Sequence, residues 1–102
     1  MVVSKHRDMG TPEEDFETAT KKSVNRETRE DAIHELALAN ECDKLAILVQ
    51  MSGLDANYRR AALNGLMKAP CDPILQSLAE DGSLDNTLRE EAQNYLQNQE
   101  KS

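Results

Sequence analysis

Tryptophan is absent from this chain of 102 residues, which carries one phenylalanine and two tyrosines. Any core must therefore be built from Leu, Ile, Val, Met and Ala, the material of packed helices rather than of β-sandwiches. Long apolar runs are missing too. None approaches the roughly 18 residues of a membrane helix, and the opening Met-Val-Val-Ser-Lys-His-Arg-Asp lacks the apolar centre of a secretory signal, so a cytoplasmic location is expected. Basic charge is scarce: twelve Lys and Arg stand against nineteen Asp and Glu, for a net charge of −7. Such a chain is repelled by phosphate backbones and anionic membrane surfaces, which excludes nucleic acid and membrane as expected partners. Arg59, Arg60 and Lys68 are three bases amid that negative field and do not reverse it.

Cysteine is limited to Cys42 and Cys71, each just before an Asp expected to start a helix. Stacked helices lie about 8–10 Å apart, whereas bridged cysteines need α-carbons closer than about 7 Å. Two thiols without a histidine cluster also fall short of a zinc site. Both are expected to be small reduced turn residues. Gly-rich phosphate loops and Ser, His and Asp groupings are likewise missing. No catalytic residue, cofactor or metal is assigned, and the chain is expected not to be an enzyme.

What is present is a repeat. Asn25-Arg-Glu-Thr-Arg29-Glu-Asp-Ala32-Ile-His-Glu-Leu36, Asp55-Ala-Asn-Tyr-Arg59-Arg-Ala-Ala62-Leu-Asn-Gly-Leu66 and Asp85-Asn-Thr-Leu-Arg89-Glu-Glu-Ala92-Gln-Asn-Tyr-Leu96 follow one another at an interval of thirty residues. Self-similarity at this period marks a stacked helical repeat. In the first unit, Ala32, Ile33, Leu36 and Ala37 fall at helical spacing, Asn40-Glu41-Cys42 interrupts, and Leu45 to Met51 form a second, antiparallel helix. The second unit repeats this with Ala62, Leu63, Leu66 and Met67, then Ile74, Leu75, Leu78 and Ala79. The third stops after its first helix.

Asn25, Asp55 and Asp85 are expected to cap the first helices, and Asp43 and Asp72 the second. Gly53 and Gly82 are expected to end the second helices in a left-handed conformation. Residues 1–10 read as a flexible tail, and Thr11-Pro12-Glu13-Glu14 as the start of an amino-terminal helix with Phe16 and Ala19 inside. The organisation is thus one domain over 11–102: an amino-terminal helix 11–24, repeats 25–54 and 55–84, and a capping helix 85–102.

The phrase Asp-x-x-x-Arg-x-x-Ala-x-x-x-Leu with a short second helix resembles the HEAT-like repeats of about thirty residues found in phycobilin lyases and small helical scaffolds. The resemblance covers residues 25–98 and implies an all-α fold, a short right-handed α-solenoid of stacked antiparallel helix pairs, about two and a half repeats long. The Gly-Asp pair frequent in the inner turn of that family is Cys42-Asp43 and Cys71-Asp72 here. Deoxyhypusine hydroxylase, built of similar repeats, places His-Glu iron ligands just after the repeated basic residue. The corresponding positions here are Glu30-Asp31, Arg60-Ala61 and Glu90-Glu91. His34-Glu35 is a single pair four residues late, and one pair cannot hold an iron centre.

In a stacked array, residues thirty apart are neighbours. Ala32, Ala62 and Ala92 are expected to be buried, as are Leu36, Leu66 and Leu96. The column Ile33, Leu63, Gln93 turns polar at the carboxy-terminal end, as a cap requires. Glu30, Arg60 and Glu90 alternate in sign and could form a ladder of surface pairs. Aligned from Leu54 and Leu84, Ile47 matches Ser77 and Met51 matches Asp81, so the first unit is apolar where the second is polar. The expected function is a non-catalytic adaptor or assembly factor that binds a protein partner on its concave face. The candidate residues are Lys44, Ile47, Gln50, Met51, Ser77 and Asp81. Coverage of this strip by the helix around Phe16 is the competing expectation. An accessory subunit of a phycobilin lyase-like enzyme is the alternative function, and self-association is a further expectation from the small size of the array.

Overall fold

Six helices and no strand make up the described residues, 11–101 of a computed structural model, with side chains described as far as Gln99. The tail expected at 1–10 lies outside them. In chain order the helices are α1 (Pro12–Thr20), α2 (Arg26–Leu38), α3 (Cys42–Gln50), α4 (Ala56–Lys68), α5 (Asp72–Ala79) and α6 (Asn86–Lys101). The thirty-residue interval governs both sets of starts: Pro12, Cys42 and Asp72 for the short helices, Arg26, Ala56 and Asn86 for the long ones.

Pairing differs from the sequence count. Each short helix packs most closely on the long helix that follows it, α1 on α2, α3 on α4 and α5 on α6. The expected amino-terminal helix is therefore the equivalent of α3 and α5, and the described chain holds three helix pairs rather than two and a half. The long helices also touch in order, α2 against α4 and α4 against α6. The alanine column allows this approach: Ala32, Ala62 and Ala92 are all buried. Leu36 and Leu66 are fully buried and Leu96 partly so. Gln93 is exposed where Ile33 and Leu63 are buried, and its Nε2 donates to the Ala79 carbonyl at 2.9 Å, closing the end of α5.

The turn between the two helices of each pair is built identically three times. The amides of Val24, Leu54 and Leu84 donate to the carbonyls of Lys21, Met51 and Asp81. Over each turn reaches the repeated arginine. Arg29 Nε donates to the Ala19 carbonyl at 3.0 Å, and Arg59 Nε to the Val49 carbonyl at 3.2 Å, ten residues back in each case. Arg89 reaches the same region, donating to the carbonyls of Leu84, Gly82 and Asp81. A helix end leaves its last carbonyls without intrahelical partners, and a guanidinium, always charged and rich in donors, satisfies them where the negative end of the dipole lies. Arg29 is 7% exposed and its guanidinium lies 4.1 Å over the Tyr58 ring of the next unit, so it also joins consecutive pairs.

The helix ends follow the expected caps only in part. Thr11 and Glu14 form a reciprocal capping box, Asn25 accepts from the Thr28 amide at 2.9 Å, and Asp85 accepts from the Thr87 and Leu88 amides. Asp55 makes no side-chain cap bond. Asp43 and Asp72 lie inside the first turns of α3 and α5, whose caps are Glu41 and Cys71. No described glycine has positive φ, so Gly53 and Gly82 do not act as left-handed stops; Asn40, at φ 58°, does that for α2. The Glu41 amide donates to the Leu36 carbonyl and the Asn40 amide to the Ala37 carbonyl, the paired bonds of a Schellman end. Pro70 holds the equivalent place after α4. Proline is locked at negative φ, so Ala69 turns extended at φ −86°, ψ 161°, and the inner turns differ.

The cysteines are bonded, which overturns the expectation of reduced thiols. Cys42 and Cys71 form a disulfide with α-carbons 5.6 Å apart. The 8–10 Å separation holds between helix axes, but these residues lie at the first residue of α3 and just ahead of α5, where the chains emerge from their turns. Their separation of 29 residues also places them one step off the thirty-residue register. The expected charge ladder does not form either. Arg60 pairs with Glu91 at 2.8 Å, and Glu30 pairs with Arg26 on its own helix at 3.2 Å.

Arg29→Ala strips a charged donor from a buried carbonyl and empties the face of Tyr58, and should lower unfolding free energy by about 2–4 kcal/mol in urea titration. Arg59→Ala, at a half-buried site with no ring beneath it, should cost less. Replacing both cysteines by serine releases a closed loop of 29 residues and should cost about 3–4 kcal/mol. An unchanged urea midpoint in the double variant would contradict the structural role assigned to the bond.

Candidate functional site

The short helices α1, α3 and α5 meet along two seams of different character. The seam between α3 and α5 is fastened at both ends. The Cys42–Cys71 bond joins their amino-terminal ends, and Gln50 Nε2 donates to Asp81 Oδ2 at 3.1 Å where both helices finish. Asp81 also accepts from the Ser83 amide and hydroxyl, at 2.9 and 2.7 Å. The Ser83 bonds, and then the Gln50 amide, hold its carboxyl below the usual carboxylate range.

The seam between α1 and α3 is open. Lys44 Nζ reaches across it to Glu13 at 4.0 Å while also approaching Glu41 at 3.8 Å. Below that pair lies a groove of 440 Å³, walled by Phe16 from α1 and Ile47 from α3 and edged by Glu13, Glu14, Glu17 and Lys44. Ile47 is 49% exposed, second among the described large apolar side chains to Leu38 at 65%. Phe16 is partly buried, with part of its ring packed against the core. The spacing of α3 explains the arrangement: Leu45, Leu48 and Val49 take the inward stripe, which leaves Ile47 on the opposite side.

The six residues singled out from sequence therefore divide. Lys44 and Ile47 come together at the groove. Gln50 and Asp81 are bonded to each other across the closed seam. Met51 is turned partly into the core, and Ser77 is exposed on α5. The helix around Phe16 lines the same groove and leaves Ile47 half-exposed, while Met51 and Lys44 are more buried. Phe16 lines the groove without being among the six, and the signal for its place was the register: Glu17, Ile47 and Ser77 are thirty apart, so α1 belongs to the same face as α3.

A second hollow, of 320 Å³, lies between α1 and α2 and is lined by Asp15, Thr18, Thr28, Asp31, His34 and Glu35 among others. It is acidic. Burial first, then the charges of Glu35 and Glu14, push the Asp15 carboxyl up to about 6. Because the folded state holds this proton more tightly than the unfolded state, whose ordinary value is 3.8, stability should fall as pH rises from about 4 to 6. Asp15→Asn removes the cost of burying a carboxylate there and, with it, the repulsion from Glu35 and Glu14. It should raise stability at pH 7 by about 1 kcal/mol after allowance for solvent screening, and flatten the stability profile between pH 4 and 6. Thermal melts of both chains across that range provide the check. Comparison of the chain with protein-family models, with curated proteins and with solved structures finds no significant match to any of them.

Proposed function

We propose that this chain is a non-catalytic protein-binding scaffold, an adaptor or assembly factor that takes a partner protein along the face formed by α1, α3 and α5. The observation that carries the reading is the open groove between Phe16 and Ile47, an apolar strip edged by ionised groups on a small protein. Exposed apolar surface of this kind costs solvation free energy in the isolated chain and is relieved by association. The lining sets one aromatic and one aliphatic side chain among four charged ones, an apolar centre within a polar rim.

The proposal includes the architecture: a short right-handed α-solenoid of HEAT-like helix pairs. Three kinds of recurrence support it, namely the common interval of the helix starts, the thrice-built turn and the arginine reaching back over it. No helix among the described residues is long and apolar enough to cross a membrane. The cytoplasmic location expected from the sequence is carried with the proposal, with one consequence. Reducing thiols there would act on the Cys42–Cys71 bond, which oxidising compartments preserve.

Affinity capture with the full chain from native lysate, run beside Ile47→Asp and Ser77→Asp, tests the site. A protein retained by the unaltered chain and by Ser77→Asp but lost with Ile47→Asp is the expected result. Retention by all three would remove the groove as the binding surface.

A further inference from the structure

The groove's edge specifies its occupant more narrowly than a protein of any kind. Three carboxylates, Glu13, Glu14 and Glu17, project from α1 along one side, and the facing wall offers Lys44 alone. That lysine is already shared between Glu13 and Glu41, so the edge keeps an excess of negative charge beside an apolar floor. Glu14 holds the amino end of α1 through Thr11. Glu13 has a side chain 79% exposed, and Glu17 is exposed as well. α1 and α3 have nine residues each, about 13 Å of helix. A groove of that length accepts two apolar side chains spaced by one turn, not an extended interface.

We propose that the groove binds a short basic amphipathic helix of a partner protein. Two aliphatic side chains, three or four residues apart, seat between Phe16 and Ile47, and flanking Lys or Arg side chains meet Glu17 and Glu13. This is the helix-in-groove mode of recognition, with apolar anchors supplying affinity and the charged border selecting the partner. The charge argument also disfavours the other occupants. An anionic lipid surface or a nucleic acid would bring like charge to the edge, and a second copy joined through the same groove would set two acidic borders face to face in a chain of net charge −7.

The proposal rests on the scaffold reading and can fail while that reading stands. The probe is a fluorescent 14-residue helical peptide of leucine and lysine, with leucines at helical spacing, titrated against the full disulfide-bonded chain by anisotropy. A companion peptide carries glutamate in place of lysine. The lysine peptide should bind at least about tenfold more tightly than the glutamate peptide, and its affinity should fall on raising salt. Ile47→Asp should weaken the lysine peptide by about tenfold or more. That sign is diagnostic, because an added carboxylate would strengthen any binding driven by net charge alone. Glu17→Lys should weaken the lysine peptide and favour the glutamate one; circular dichroism should be unchanged in both variants.

Equal binding of the two peptides would overturn the proposal, as would lysine-peptide binding that Ile47→Asp leaves unchanged or strengthens. So would Ile47-dependent dimerisation in sedimentation without peptide binding, which would make the occupant a second copy. If capture from lysate requires Ile47 but the peptides fail these tests, the groove remains a docking site and its partner has another chemistry.

Discussion

A guanidinium group set against the carbonyl end of a helix ten residues earlier organises this molecule. Each short helix runs its last carbonyls into a turn that would leave them unpaired, and burying an unpaired carbonyl costs about as much as a lost hydrogen bond. Arg29 and Arg59 answer that demand in the same way, and Arg89 answers it on the turn itself. In the first two pairs the arginine sits on the long helix and its acceptor on the short helix before it, so the contact joins the two helices directly; in the third, Gln93 takes that place by donating to the Ala79 carbonyl. In the first unit the arginine does more, since Tyr58 of the next unit lies under Arg29. One side chain thereby sets both the geometry within a pair and the register between pairs.

Given that frame, the two seams between short helices are free to differ, and their difference creates the site. Between α3 and α5 a covalent bond at one end and an amide–carboxylate bond at the other hold the helices side by side. Between α1 and α3 the positions thirty residues earlier are Pro12 and Glu41 at one end and Thr20 and Met51 at the other, which can form neither bond, and the contact across the gap is the long Lys44–Glu13 pair at 4.0 Å. An apolar floor is left uncovered there. α3, which carries Ile47, is thereby tied to α5 at both ends. The acidity of the edge comes from Glu13, Glu14 and Glu17 of α1, whereas the hollow beneath α1 takes Asp15 from that helix and Asp31 and Glu35 from α2. The acids of α1 favour its positive end and oppose its docking against Glu35, two effects of opposite sign on one short element.

Much of the fold was legible because it depends on spacing. Ala32, Ala62 and Ala92 at identical places in three copies require that the long helices approach closely there, and they do. Leu36 and Leu66 were readable as core for the same reason. The end signals are less faithful: Asp43 and Asp72 look like caps but lie inside the first turns of α3 and α5, and it is Asn40 that stops α2. Of the site, Ile47 and Lys44 were readable as the apolar and charged members of one strip. Phe16 was not, because it was assigned to an added helix and not to the first member of the α1, α3, α5 series. The disulfide escaped because helix-axis distances say nothing about residues placed where chains leave their turns.

The thirty-residue interval, taken by itself, determined the helices, their order and the side each turns to the core. Those properties arise from periodicity and from residues within a turn or two of one another. Tertiary structure alone decided which neighbours are joined and which stand apart: that Cys42 meets Cys71, that Gln50 meets Asp81, and that Phe16 faces Ile47 across open space. Such outcomes turn on a few ångströms between elements distant in the chain. Bonds of any kind form or fail over that distance, and no pattern along the chain records it.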